Sequence, residues 1–306
     1  MNHKRHRRTI MSYPIINQSK LTNDVDKLVK GVLFKNLRGK RFQDQLNELY
    51  RPLMFMYYSH DSVKYSQSIN VLMDSAVVFI GAEHPCDVIW DYDRSQKLIK
   101  ELLTYEDKIR RERYDWIYQE ERNKESLDLY FRNLIERRSR VLVIFIELKY
   151  LKDQRHNVTI YDFHGHMKNL RKLISKRNSC FKHLTGYAWA LEQGYRNGGF
   201  HCHLVLTYDN SEKYSDWHIA KTIGEKWQEV TEGFGTYHSS HDTETKRHFE
   251  TEGKLGIGRI HRDKPDEVEN AFTVAGYLTK SDKYDQKLKV WLPKMQTFGH
   301  GEFKEE

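Results

Sequence analysis

The spacing of apolar residues changes once along the chain, near residue 140. From about residue 20 to about 138 it is helical: Val25, Leu28, Val29, Val32 and Leu33 form one stripe, and Leu98, Ile99, Leu102 and Leu103 another. Between Tyr105 and Arg140 charges dominate and neither Gly nor Pro intervenes. With Trp116, Leu127, Leu129, Phe131, Leu134 and Ile135 as apolar contacts, this stretch reads as one long helix or two. At Val141 the pattern becomes that of a buried strand, VLVIFIEL (141–148), rich in β-branched and aromatic side chains. A helix is predicted from about Asp162 to Lys176, with Met167, Leu170, Leu173 and Ile174 on one face. Two short strands, Tyr187 to Glu192 and Phe200 to Thr207, flank Asn197-Gly198-Gly199, a hairpin signal. A helix from about Ser215 to Val230 follows, with Asp216 placed to cap it and Trp217, Ile219, Ala220, Ile223 and Trp227 as its stripe. Residues 231–254 read as a loop and 256–261 as a short strand. A last helix is predicted from Asp263 and Pro265 to about Tyr284.

The order β-α-β-β-α-β-α predicts an α+β unit with one antiparallel sheet and helices on one face. Three regions follow: a basic flexible arm over 1–18, carrying Lys4, Arg5, Arg7 and Arg8 without an acid; a mostly helical region over 19–138; and the sheet-containing domain over 139–306. The best apolar stretch, Ala76 to Ala82, is far shorter than the roughly 18 residues that span a bilayer, so no membrane partner is expected. Three widely spaced cysteines (Cys86, Cys180, Cys202) make no disulfide framework, and a cytoplasmic setting is the expectation. A net charge of +8 over 306 residues, with 13% aromatic residues, is compatible with a nucleic-acid partner and equally with a plain soluble surface.

Chemistry concentrates in the strand GFHCHLVLTY, which carries His201-Cys202-His203. Residues i and i+2 of a strand share a face, so both imidazoles point one way and Cys202 the other. With 16 histidines in 306 residues, chance alone yields about one His-x-His. A second occurs, His164-Gly165-His166, but in a helix-like segment where i and i+2 do not share a face, and it serves as a control. The hairpin strengthens the first pair. A two-residue turn at Asn197-Gly198 sets Glu192 opposite His203, and one at Gly198-Gly199 sets it opposite Val205. Either register keeps Glu192 on the histidine face, whereas a three-residue loop without a bulge would reverse it. Two imidazoles and a carboxylate suit Mg2+ or Mn2+ with positions left for substrate oxygens. A Cys-His zinc fold lacks the CxxC pair to complete it.

On the late helix, Val268, Ala271, Phe272, Ala275 and Leu278 form the apolar stripe. Tyr277 projects away from it and shares its face with Lys280 one turn on. Tyr-x-x-Lys also occurs at Tyr105 and Tyr284, so the spacing alone is weak. Combined with a metal on a strand face it describes a phenol able to attack a phosphodiester, with Lys280 to assist ionisation or stabilise leaving-group charge.

A hydrophobic strand, then His-x-His on a strand, then Tyr-x-x-Lys on a later helix resembles the HUH endonuclease superfamily of rolling-circle replication initiators, relaxases and transposases. The pieces FIEL (145–148), WALEQG (189–194), FHCHLVLTYDN (200–210), AGYLTK (275–280) and TFGHG (297–301) look closest to the inovirus gene-two-like replication proteins of filamentous phages and prophages. The likeness covers about residues 140–303, and the helical part has no counterpart. It implies an RRM/ferredoxin-like sheet of four to five strands and a metal on His201 and His203, with Glu192 as third ligand. It also implies Tyr277 as the nucleophile that links the protein to a DNA 5′ end, leaving a 3′-OH to prime synthesis. Single-stranded or hairpin origin DNA would be the substrate, and a host helicase and polymerase the partners, since no GxxxxGK[ST] phosphate loop is present. Position 273 is Thr where two-tyrosine members carry a second tyrosine, so a single-tyrosine enzyme is expected, with Tyr284 the other acceptor to consider. A relaxase, a transposase or a non-catalytic DNA-binding regulator on the same fold are the alternatives.

Overall fold

The computed structural model describes residues 16–59, 62–194, 199–209 and 215–302. The first fifteen residues of the proposed arm and the Asn197-Gly198 turn lie outside them. Gln18, at the arm's expected end, is already buried as the first residue of a helix.

The helical expectation for the first region holds. Helices α1 (Gln18–Phe34), α2 (Gly39–Tyr58), α3 (Gln67–Ile80) and α4 (Tyr92–Leu103) pack together, with the short strand β1 (Lys64–Tyr65) before α3. The α1 stripe from Val25 to Leu33 is buried as spaced. α5 (Glu106–Glu136) is one helix of 31 residues. Its Leu127, Phe131, Leu134 and Ile135 are buried, but Leu129 faces solvent.

The remainder is α+β. Strand β2 (Arg140–Tyr150) leads to α6 (Ile160–Lys176), then to the hairpin β3 (Leu184–Gln193) and β4 (Phe200–Asp209), then to α7 (Asp216–Val230). Residues 231–254 are not a plain loop: they contain β5 (Gly235–Ser239) and α8 (Thr243–Thr251). Then come β6 (Gly258–His261), α9 (Pro265–Gly276), β7 (Val290–Trp291) and β8 (Phe298–His300). The main antiparallel sheet has six strands rather than four or five, in the order β5-β2-β4-β3-β8, with β6 also on β2. β7 pairs with β1 in a separate two-stranded ribbon. The short, polar β5 and the Gly-rich β8 add themselves to existing edges, which alternation alone does not signal.

Helices cover both faces of the sheet, not one. Leu142, Ile144, Ile146 and Leu148 of β2 join Cys202, Leu204 and Leu206 of β4 against α6 and α7. On the opposite face Val141, Val143, Val205 and Ala190 meet α5 and α9. The near-continuous apolar run of β2 is what a strand covered on both sides requires. The helical and sheet regions also share a core, so the boundary at residue 138 marks a change of secondary structure rather than of packing. Gln193, fully buried, bolts them together: its Nε2 donates to Ser19 O and Thr22 Oγ1 at 2.8 Å each, and its Oε1 accepts from Lys289 N at 2.8 Å.

β5 pairs with β2 from Ile146 to Tyr150 and β6 pairs with it from Arg140 to Val143, so the two short strands lie end to end and leave a gap. His241 fills it. Its Nε2 accepts the Phe145 N–H at 3.1 Å, and Nδ1 then donates to Asp216 Oδ2 at 3.0 Å. Ser215, not Asp216, caps α7. Asp216 instead pairs with His241 and Lys246, and these partners outweigh burial to hold its carboxyl well below the usual range. Replacing His241 with Ala strands a buried N–H and a partly buried carboxylate, and is expected to cost about 2–3 kcal/mol in urea denaturation. A carboxylate whose folded pKa is depressed contributes its stability above the unfolded pKa, near 4, and loses it as pH falls through the folded value. The stability gap between wild type and Asp216→Asn should therefore be flat above about pH 5 and shrink on acidification. A gap that widens in acid would contradict this.

Candidate metal centre and its tyrosine

The β3–β4 ladder sets Glu192 opposite His201 and Ala190 opposite His203. This differs by an even number of residues from both registers considered above, so the face assignment survives although the partner changes. The hairpin loop is longer than two residues, with Gly194 N bonded to Gly199 O. Glu192, His201 and His203 are each less than 8% exposed. Glu192 Oε2 lies 3.4 Å from His201 Nε2 and 3.3 Å from His203 Nε2.

Three atoms of this cluster are buried without a hydrogen-bond partner among the described residues: Glu192 Oε2 and both ring nitrogens of His203. Buried polar atoms are normally paired. Convergent separations of 3.3–3.4 Å are those of neighbouring ligands about 2.3 Å from one divalent ion. His201 Nδ1 donates to Gly199 O at 3.3 Å, leaving Nε2 with its lone pair toward the cluster. The donor set therefore fits a metal ion, and among the described residues this is the one such group. The control pair behaves as a helix should: His166 Nδ1 meets Tyr150 Oη at 2.9 Å within the core.

The tyrosine arrives by a route the periodicity did not show. α9 stops at Gly276, Tyr277–Thr279 form a 3-10 turn, and Lys280 is extended. Tyr277 and Lys280 are thus not on one continuous α-helical face; Tyr277 reaches the cluster, and Lys280 reaches only the Tyr277 ring. The Tyr277 ring meets His203 edge-to-face at 5.1 Å and Phe145 at 5.7 Å, while Phe145 lies parallel to His203 at 5.8 Å. Lys280 is exposed, with Nζ 5.1 Å from the Tyr277 ring centre. Lys283, which sequence reasoning passed over, comes closer: its Nζ is 3.4 Å from that ring centre and 2.8 Å from Glu192 Oε1. Tyr284 is turned away. Its hydroxyl donates to Glu112 Oε2 at 3.1 Å on α5, and its ring packs on Trp116. The end of the α-helix at Gly276 is what separates it from the face Tyr277 occupies.

Other neighbours set the electrostatics. Glu147 of β2 lies opposite His203 and pairs with Lys149 at 2.8 Å. Burial opposes ionisation of Glu192, but the two imidazoles and Lys283 prevail and hold its carboxyl well below the usual range. Burial lowers the Lys283 ammonium pKa. Tyr277 is raised, first by burial and then by the charges of Glu192 and Glu147. Burial pushes the Glu120 carboxyl of α5 up to about 7, against a hydrogen bond from Asn123. Glu147 and Lys283 were legible only once the register and the end of α9 were known.

Comparison with protein-family models, curated proteins and solved structures returns no match.

Mn2+ at about a hundred times its dissociation constant should stabilise the fold by about 2.7 kcal/mol, read as a rise in melting temperature that His203→Ala abolishes. Lys283→Met removes one partner of a buried pair, about 3 kcal/mol in chelator, and the loss should shrink when Mn2+ is added. Equal losses with and without Mn2+ would place the ion elsewhere.

Proposed function

We propose that this chain is a DNA strand-cutting and rejoining enzyme of the HUH type, with Tyr277 as nucleophile and His201, His203 and Glu192 as holders of Mg2+ or Mn2+. The observation that carries the reading is the Tyr277 ring set edge-on against His203, at 5.1 Å, over the three convergent donors. Neutral imidazoles and one carboxylate suit a hard divalent ion. When bound, that ion supplies positive charge to a phosphodiester oxygen and to the phenol, offsetting the rise that burial and two carboxylates impose on Tyr277.

The chain's own residues do the rest. Phe145 and His203, side by side, both meet the phenol ring at right angles, and Lys283 lies over its face, so the ring is packed in place. Lys283 holds Glu192 in place and presents its charge to the ring face. Lys280, exposed beside the same ring, is free to meet a phosphate oxygen. In the step itself the Tyr277 oxygen bonds to phosphorus as the bond from phosphorus to the 3′ oxygen breaks. The phenolic proton is released and one is taken up by the departing oxygen. The products are a 5′-phosphotyrosine and a free 3′-hydroxyl, and the reverse reaction rejoins the strand. An open groove of about 520 Å3 beside His201, lined by Lys149 and Arg155 and also by Glu147, Asp282 and Asp285, leaves the cluster accessible from that side.

Within this chemistry we favour initiation of rolling-circle replication of a filamentous phage, prophage or plasmid-like element, in a bacterial cytoplasm with host helicase and polymerase as partners. Support comes from the sequence likeness at 140–303. A relaxase or transposase would use the same residues. The chain has no helix long and apolar enough to cross a membrane among its described residues.

Incubation with single-stranded origin DNA and Mn2+ should give a covalent adduct resistant to denaturant. Tyr277→Phe should abolish it and His203→Ala should lower its rate about 100-fold or more, while Tyr284→Phe should leave it intact. An adduct that survives Tyr277→Phe would move the nucleophile. Tight origin binding with no cleavage under any metal would favour the regulator.

A further inference from the structure

A cavity of about 350 Å3 adjoins the metal-ligand cluster, sharing Glu192 and Lys283 with it, and the chemistry above makes no use of it. Its lining is assembled from β3, which supplies the stretch ending at Glu192, and from three further parts of the chain. α5 contributes Trp116 and Glu120, the β1–α3 junction contributes Tyr65 and Gln67, and the C-terminal segment contributes Trp291 and Phe298. The β1–β7 ribbon, in which Lys64 pairs with Trp291, holds two of these parts together.

Four of those six side chains are aromatic, and the others carry hydrogen-bonding groups. Tyr65 is only 5% exposed, and its hydroxyl has no hydrogen-bond partner among the described residues. That hydroxyl is closed off from solvent, so what Tyr65 offers the cavity is its ring. Glu120 and Gln67, half-buried, add a carboxyl and an amide able to meet donors and acceptors. Lys280 and Lys287 also line it, as does Glu112, which pairs with Lys287 at 2.8 Å and leaves Lys280 as the cation beside the cavity. Flat apolar faces, mixed polar edges and the exposed Lys280 together match a nucleobase with its attached phosphate.

We propose that this cavity receives one unstacked base of the strand whose phosphate Tyr277 attacks, an inference that rests on the nuclease reading above. It gives the helical region a task at the site: α5 and β1 build a wall for the substrate that the sheet domain lacks. A base held there fixes the register of the strand over the cluster, so the cavity selects which phosphate is cut.

The test uses the full-length Tyr277→Phe chain, which leaves DNA uncut, with Mn2+ at constant salt. It is titrated with single-stranded oligo-dT of about 20 nucleotides, with an abasic strand of equal length, and with dTMP. Oligo-dT should bind about tenfold or more tighter than the abasic strand. Trp116→Ala and Trp291→Ala should each remove most of that ratio while leaving abasic-strand affinity unchanged, which also reports that the variants are folded. Glu120→Gln, a smaller change, should alter the preference among oligo-dT, oligo-dC and oligo-dA. A ratio that persists in both tryptophan variants overturns the proposal. So does dTMP binding as tightly as the oligonucleotide, which would mark a free-nucleotide site. Failure of the nuclease reading is scored separately, by the absence of a Tyr277 adduct in the wild-type chain.

Discussion

The site depends on parity. Side chains alternate across a strand, so Glu192 joins the histidines only if the β3–β4 register is shifted from its present one by an even number of residues. A slip of one would send Glu192 into the Cys202 face and bring Leu191 beside the imidazoles. Gln193 guards against that slip. It is the next residue along, it points to the opposite face, and its amide is satisfied by α1 on one side and by Lys289 on the other. Moving the strand by one residue would bury that amide unpaired, so the helical region sets the chemistry of the sheet by locking its neighbour.

A second layer of constraint sits behind the first. His241 occupies the gap between β5 and β6 and takes the Phe145 N–H. Phe145 lies against both His203 and Tyr277. The Asp216–His241 pair is therefore two steps from the phenol, although neither residue touches it. For the proposed chemistry such support matters, because small displacements of a nucleophile are costly in rate.

Local patterning was enough for part of this. Alternation placed both imidazoles on one face, and the same alternation brought Glu192 to them under any turn of even length. Helical spacing found the α1 stripe and the buried end of α5. What it missed has definite causes. Spacing carried the helix on to about Tyr284, but the backbone leaves the helix after Gly276, so Tyr284 turns away from Tyr277 and Lys283, to which spacing gave no role, comes to the cluster. β5 is short and polar because it sits on an edge, and it reads as loop. Helices on both faces were hidden because α5 belongs, by sequence, to a region with no visible tie to the sheet. Glu120, Trp116 and Tyr65 gather at the cluster only through tertiary packing, which no spacing rule reports.

In the proposed site two imidazoles and Glu192 would hold one ion beside the Tyr277 ring. Pulsed electron paramagnetic resonance of the full-length chain loaded with one equivalent of Mn2+ reads this directly. The account predicts couplings to two histidine nitrogens, falling to one in His201→Ala and in His203→Ala, with a further change on Tyr277→Phe when single-stranded DNA is present. Mn2+ that shows no nitrogen coupling, or the same coupling in all three variants, would contradict it.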